Sequence, residues 1–257
     1  MKQEELQKKM LQCSSLKSMQ IIIAISSAED YTSIVELSKI TGLSASTIHR
    51  ILNELMECGF VVKDEKQKKF KLGFESVALS MKIQVTDYLA DISREEMAYL
   101  NNLSGETVNL VTLNGYEGVY IAKMEAKNQI ALKSKVGWRI PLYCTSSGKV
   151  LLSCQNESWL DGYFKNITLN QFTKNTVTDR RTLEIELKKI KIQGYAMDIK
   201  EHNQDIICLA APIFSHDRKC VGTIGIAAPD YRFTEEKALS YLDDVMKAAQ
   251  SITNKLL

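Results

Sequence analysis

Proline and histidine are scarce, at 3 each in 257 residues, and no two of the six cysteines form a Cys-x-x-Cys pair. Few prolines exclude long Pro-rich linkers. Without close ligand pairs, the scattered Cys13, Cys58, Cys144, Cys154, Cys208 and Cys220 do not fit a zinc ribbon or finger. Nor do they fit the disulfide framework of a short secreted domain. No apolar run approaches the ~18 residues of a membrane span, and the N-terminus mixes both charge signs without an apolar h-region. No membrane association is therefore expected, and a cytoplasmic location is. Charge of one sign is also missing: Lys+Arg 33 against Asp+Glu 31 leaves +2, which by itself does not point to nucleic acid. With 45% hydrophobic and 25% charged residues, the composition is that of a folded globular chain.

Enzyme signatures are absent as well. There is no G-x-S-x-G, no H-E-x-x-H, no phosphate-binding P-loop, no dinucleotide fingerprint and no deaminase pattern. Ser146-Ser-Gly-Lys149 matches S-x-x-K, but the S-D-N and K-T-G partners that such a nucleophile requires do not follow. Asp198, Glu201, His202, Cys208 and His216 stand at irregular spacings, so no metal is expected, and no cofactor.

What the sequence does contain begins with local charge. Residues 1–73 hold 11 Lys/Arg against 9 Asp/Glu, and Lys63, Lys66, Lys68, Lys69 and Lys71 crowd one short stretch. Upstream of them, three helices are expected. Leu16, Met19, Ile22, Ile23 and Ile25 mark the first. Ser33 with Glu36 forms a capping box for the second, which ends at Gly42. Ser44 caps the third, whose stripe Ile48, Ile51, Leu52 and Leu55 ends at Gly59. An alternating hairpin over 60–72 follows. Three helices, a tight turn and a basic hairpin describe a winged helix-turn-helix, whose third helix enters the major groove. Ser46, Thr47 and Arg50 lie opposite its apolar stripe with His49 at the margin. They suit phosphate and base contacts, with Ser44 beside them and Lys68 and Lys69 on the wing.

Residues 75–83 continue as a linker helix and 87–103 as an amphipathic one. Strands are then expected over 107–113 and 118–122 around Asn114-Gly115, and again over 130–133 and 139–142. A short helix starts at Ser146 or Ser147, another covers 182–193 before Gly194, strands cover 206–214 and 221–228, and a helix runs from about 234 to the end. The class is α+β, with 1–74 as DNA-binding domain, 75–86 as linker and 87–257 as a sensor-like domain. Thr145, Ser146 and Ser147 at a helix N-terminus offer hydroxyls and unpaired N–H groups to a carboxylate or phosphate; plain capping is the alternative.

The chain resembles the IclR family of bacterial transcriptional regulators over nearly its whole length. The likeness rests on 37–44, 46–52, Leu55, Gly59-Phe60 and 70–73 in the first domain. In the second it rests on 104–110, Val136-Gly137, Pro141-Leu142, 144–149, 192–196, Asp198, Glu201 and 208–213. The resemblance implies a GAF- or profilin-like sensor domain. It also implies a homodimer or homotetramer on near-palindromic operator DNA, with 87–257 as the effector-binding and oligomerisation domain, and a small anionic metabolite as effector. Its pocket would be lined by Ser146, Ser147, Asp198, Cys208, Gly225 and Ala227. Several relatives carry serines where Gly225 and Ala227 stand, so a larger, less polar pocket is expected, suited to a sugar acid of five or six carbons. Asp205 replaces a usual Gly at the pocket mouth, and Ala45 replaces a usual Lys at the DNA. The expected function is an effector-responsive regulator, a repressor of a catabolic operon and not an enzyme. The rivals are an enzyme tethered to DNA and a constitutive DNA-binding protein with a silent sensor domain.

Overall fold

The computed structural model describes residues 14–28, 31–64, 66, 68–80, 84–127 and 134–256. The chain divides into two compact units, Met1–Gln84 and Val85–Leu257.

The first unit packs α1 (Ser14–Ser26), α2 (Ile34–Thr41) and α3 (Ala45–Glu57) against a hairpin of β1 (Val61–Asp64) and β2 (Lys69–Leu72). The Ser33–Glu36 capping box starts α2, and Gly42 ends it at φ 70, a left-handed conformation that glycine adopts without Cβ strain. Ser44 then caps α3 by accepting the Thr47 N–H. The hairpin pairs Val61 with Leu72 through to Asp64 with Lys69, and a bridge from Thr32 to Phe70 ties its base to the α1–α2 connection. Leu37, Ile48, Ile51, Leu52, Val61 and Phe70 are the heart of the core. In α1 the buried face is Ile21, Ala24 and Ile25, whereas Met19 and Ile23 are exposed, so the expected stripe was out of phase. A run of apolar residues from Ile21 to Ile25 offers a hydrophobic face at several helical phases. Contact with α2 and α3 selects one.

Helix α4 (Phe74–Ser80) covers the first part of the expected linker, and positions 81–83 lie outside the described residues. Helix α5 (Gln84–Ser104) leads into a six-stranded antiparallel sheet of order β5-β4-β3-β8-β7-β6. The strands are β3 (Thr107–Asn114), β4 (Glu117–Met124), β5 (Arg139–Pro141), β6 (Ala196–Ile199), β7 (Ile206–Phe214) and β8 (Cys220–Pro229). The strand expected over 130–133 lies outside the described residues. Strands β7 and β8 are buried on both faces, which is why they read as nearly continuous apolar runs. One face packs Leu110, Leu209, Ile224 and Ile226 on Met97 and Leu100 of α5 and on α10 (Leu242–Lys255). The other face packs α6 (Ser146–Ser153) and α8 (Arg180–Gln193), together with Tyr163 of α7 (Glu157–Asn166).

Two elements have no counterpart in the sequence reading, α7 and the short β6. The single C-terminal helix expected there is broken at Tyr241 into α9 (Glu235–Ser240) and α10. Among the described residues no helix is long and apolar enough to cross a membrane.

Candidate functional site

On the first unit, α3 buries Ile48, Ile51, Leu52 and Leu55, so the residues between them face outward. Ser44, Ser46, His49 and Arg50 are exposed and Thr47 is half-buried. Ser44 Oγ lies 3.1 Å from Ser46 Oγ and 2.8 Å from Thr47 Oγ1, a hydroxyl cluster at the helix N-terminus where a phosphate is favoured. The Arg50 guanidinium donates to Glu54 one turn on, with both side chains about half exposed. Such a pair is worth little, so exchanging Glu54 for a nucleic-acid acceptor costs at most about 1 kcal/mol. On the hairpin, Lys68 is exposed with φ 54 and Lys69 opens β2.

On the second unit, the sheet gathers distant residues into rows, because directly paired residues on neighbouring strands share a face. Asp198 pairs with Cys208, Cys208 with Ala227, and Ala227 with Thr107. Helix α6 begins above this face. Thr145 is its N-cap: the Thr145 hydroxyl accepts the Gly148 N–H at 3.2 Å and donates to the Pro141 carbonyl at 2.7 Å. Capping thus occupies Thr145, while the N–H groups of Ser146 and Ser147 have no carbonyl within the helix to donate to. These elements form the walls of an open pocket of about 630 Å³. Thr145, Ser146, Ser147, Asp198, Cys208 and Ala227 line it, and so do Asn109, Tyr120, Trp138, Arg139, His202 and Tyr231.

Burial sets the charge of this cavity. Desolvation raises the Asp198 carboxyl to about 7, against the opposing Glu201 N–H, which donates to Asp198 Oδ1 at 2.7 Å. Near neutral pH, Asp198 therefore exists both as an acceptor and as a protonated donor. Burial pushes the Cys208 thiol well up, and Asp198 and Glu201 add to the push. Cys208 thus stays a neutral thiol and lacks the thiolate that nucleophilic catalysis needs. Desolvation lowers His202, keeping its ring neutral. Lys200 pairs with Asp230 at the edge and holds that carboxyl below its usual range, and Arg139 donates to Glu117 at 2.7 Å.

Gly225 is the one expected pocket residue that the cavity does not include. It sits one row further on, between Ala210 and Asn109. A Cβ there would stand 2.4 Å from the Leu209 carbonyl oxygen and 2.9 Å from the Ala210 Cβ. The glycine therefore permits the close approach of β7 and β8 and does not enlarge the pocket. Asp205 does lie at the lining, as expected.

Sequence reading passed over two features. Asn109, nearly fully buried between Val108 and Leu110, leaves its Oδ1 without a hydrogen-bond partner at the cavity wall. An amide in the middle of an apolar strand was the available signal. Lys149, dismissed with the S-x-x-K match, is only 1% exposed and donates at 2.5 Å to both Glu186 and Glu201.

A winged helix-turn-helix followed on one chain by an α+β unit with a pocket is the layout of a DNA-binding regulator. Residues 15–65 match the IclR helix-turn-helix domain, and residues 83–254 match the bacterial transcriptional regulator IclR C-terminal domain. The chain belongs to the IclR family of bacterial transcriptional regulators. It is 32% identical to the HTH-type transcriptional repressor AllR of Salmonella typhi over 226 residues, covering 88% of this chain and 83% of that protein. The Thermotoga maritima IclR crystal structure is 32% identical and covers 93% of this chain and 97% of its own, with TM-score 0.70. In fold alone, it also matches an IclR homologue from Microbacterium hydrocarbonoxydans complexed with 4-hydroxybenzoate. That match has TM-score 0.81 at 18% identity, over 95% of this chain and 99% of the other. These relatives are regulators, not enzymes, and the chain is a DNA-binding transcriptional regulator.

Proposed function

We propose that the chain is an effector-responsive repressor of a catabolic operon, acting in the cytoplasm as a homodimer or homotetramer on operator DNA. Arg50 makes the main base or phosphate contact, with Ser44, Ser46, Thr47 and His49 around it. Lys68 and Lys69 hold the wing to the backbone. The effector is a polyhydroxylated organic acid, a sugar acid of five or six carbons.

One observation carries the effector reading. The Ser146 and Ser147 N–H groups of α6, which have no acceptor within the helix, the Asp198 carboxyl and the unpartnered Asn109 Oδ1 line one pocket of about 630 Å³. The helix end takes the carboxylate, and Asp198 and Asn109 accept from ligand hydroxyls. Of the lining carboxyls, Asp205 at the mouth opposes an anion there, while the α6 N-terminus favours one, which gives the ligand a direction. A cavity this size is ample for a two- or three-carbon acid and fits a longer one better. Ligand binding acts by population shift, favouring a conformation with different operator affinity. The name of the repressor AllR supports the sign.

A thermal-shift screen of hexonates, hexuronates, short oxo acids and aromatic acids tests the reading. A ligand at ~100 Kd should add about 2.7 kcal/mol of stability. A hydroxylated acid that shifts the wild type and fails to shift Asn109→Ala supports it. A shift confined to aromatic acids would reassign the pocket to an aromatic ligand held by Tyr120, Trp138 and Tyr231. No shift from any acid refutes it and favours the silent-sensor alternative.

A further inference from the structure

Charge on α3 runs against the helix dipole. Helices α2, α7, α9 and α10 each carry acid in the first turn and a base in the last, as the dipole favours. Helix α3 has no acid in its first turn and no base in its last, where Glu54 and Glu57 stand exposed. Helix stability does not account for this pattern, since an acid at that end is unfavourable. Contact with DNA does account for it. A first turn without acid can meet phosphate through Ser44, Ser46 and Thr47, while the backbone repels the acidic last turn.

The Arg50–Glu54 pair joins these two halves on the exposed face, away from buried Ile48, Ile51 and Leu55. Four residues apart, the two stand one turn, about 6 Å, apart along the axis. Glu54 Oε1 accepts from a single amino nitrogen, Nη1 of Arg50. The guanidinium carries its N–H donors in one planar fork, so Nε and Nη2 remain for a second, bidentate acceptor. In the major groove, guanine presents O6 and N7 to such a fork. Moving the guanidinium to a phosphate instead would break the pair or carry the Glu54 carboxylate up to the polyanion.

We infer that Glu54 determines base specificity through Arg50, holding the guanidinium in the plane that addresses a guanine and opposing its transfer to phosphate. Glu54 is thus a positioning residue that lowers affinity for DNA in general and raises the ratio of specific to random binding. The inference rests on the reading of α3 as the recognition helix with Arg50 as its main contact.

The test uses the full chain and a library of randomised duplexes of roughly 30 base pairs, long enough for two half-sites. Selection and sequencing are run on the wild type, Arg50→Ala, Glu54→Ala and the double variant. The wild type should enrich a guanine that Arg50→Ala loses. Glu54→Ala should reduce the preference for that same guanine by about fivefold, the most that an exposed pair of this kind supplies, and spare the other positions. It should also bind one random duplex more tightly, with a salt slope steeper by about 1 as Arg50 gains a phosphate. In the Arg50→Ala background, the Glu54 substitution should leave the base preferences as they are. An unchanged preference in Glu54→Ala, beside a loss in Arg50→Ala, overturns this inference alone. So does a uniform weakening on all sequences, which marks a purely structural role, or a loss at a different base pair, which makes Glu54 itself a reader of cytosine. A guanine preference that survives Arg50→Ala, or a wild type that enriches nothing, overturns the inference together with the Arg50 reading.

Discussion

Replacing Lys149 with Met removes the cation that α6 holds between Glu186 of α8 and Glu201 in the turn after β6. The Lys149 ammonium is 1% exposed and donates at 2.5 Å to Glu201, whose side chain is 10% exposed, and to Glu186, at 32%. One Glu201 oxygen, Oε2, already lacks a partner, so without Lys149 this carboxylate is a nearly unpaired buried charge. Breaking a buried pair by removing one partner costs about 3–5 kcal/mol. The more exposed Glu186 recovers water, which places the loss toward the lower end. In a domain of this size that is roughly 6–20 °C in Tm. Protonation offers relief: burial raises the Glu201 carboxyl even beside Lys149, and more so without it. A folded-state value above the unfolded one means that stability is retained at low pH and lost as pH rises through the folded value. The deficit of Lys149→Met should therefore be largest above neutral pH and shrink toward pH 5. The assay is urea unfolding of the full chain followed by tryptophan emission. Both tryptophans, Trp138 and Trp159, lie in the second unit and so report its unfolding alone. Adding Glu201→Gln to Lys149→Met should recover most of the loss, since a neutral amide needs no counter-ion. A pH-independent loss, or a double variant no more stable than Lys149→Met alone, would refute the buried-charge reasoning.

Asp198, raised from 3.8 to about 7, gives the same sign in the wild type. Its contribution is fully present below about pH 4 and disappears as pH rises through about 7, a change of order 4 kcal/mol. Asp198→Asn should flatten that dependence in the same fluorescence assay, and an unchanged pH profile would contradict it. Gly225→Ser should cost several kcal/mol of second-unit stability without adding a hydroxyl to the cavity, because its Cβ would meet the Leu209 carbonyl at 2.4 Å. Folding at wild-type stability would show that β7 can yield there. Arg50→Ala should weaken operator binding by about 1–3 kcal/mol, whereas Lys69→Ala should weaken all DNA alike and reduce the salt slope by about 1. Titrations of operator and random duplexes at several salt concentrations distinguish the two.

The first unit was legible because its signals are local. A capping box, a left-handed glycine and an apolar stripe each act within a few residues of chain, and Ser33, Gly42 and Ile48-Ile51-Leu52-Leu55 behave as their spacing requires. The phase of α1 was not legible, since consecutive isoleucines leave the choice of buried face to α2 and α3. Helix α7 was missed because Gly162 interrupts its pattern and its fit depends on packing around Tyr116. In the second unit, sequence alone determined that strands follow the linker and that 145–149 begins a helix. The family resemblance pointed to Asp198, Cys208 and Ala227 as lining residues, but nothing in the sequence revealed that Asn109 joins them, nor that Gly225 is excluded by the approach of a neighbouring strand. Cross-strand register decided the first and interstrand distance the second. The buried Lys149–Glu201 pair is likewise tertiary. Charge and thiol chemistry depend on what burial removes and what it brings within hydrogen-bonding reach, and both are set by the folded sheet.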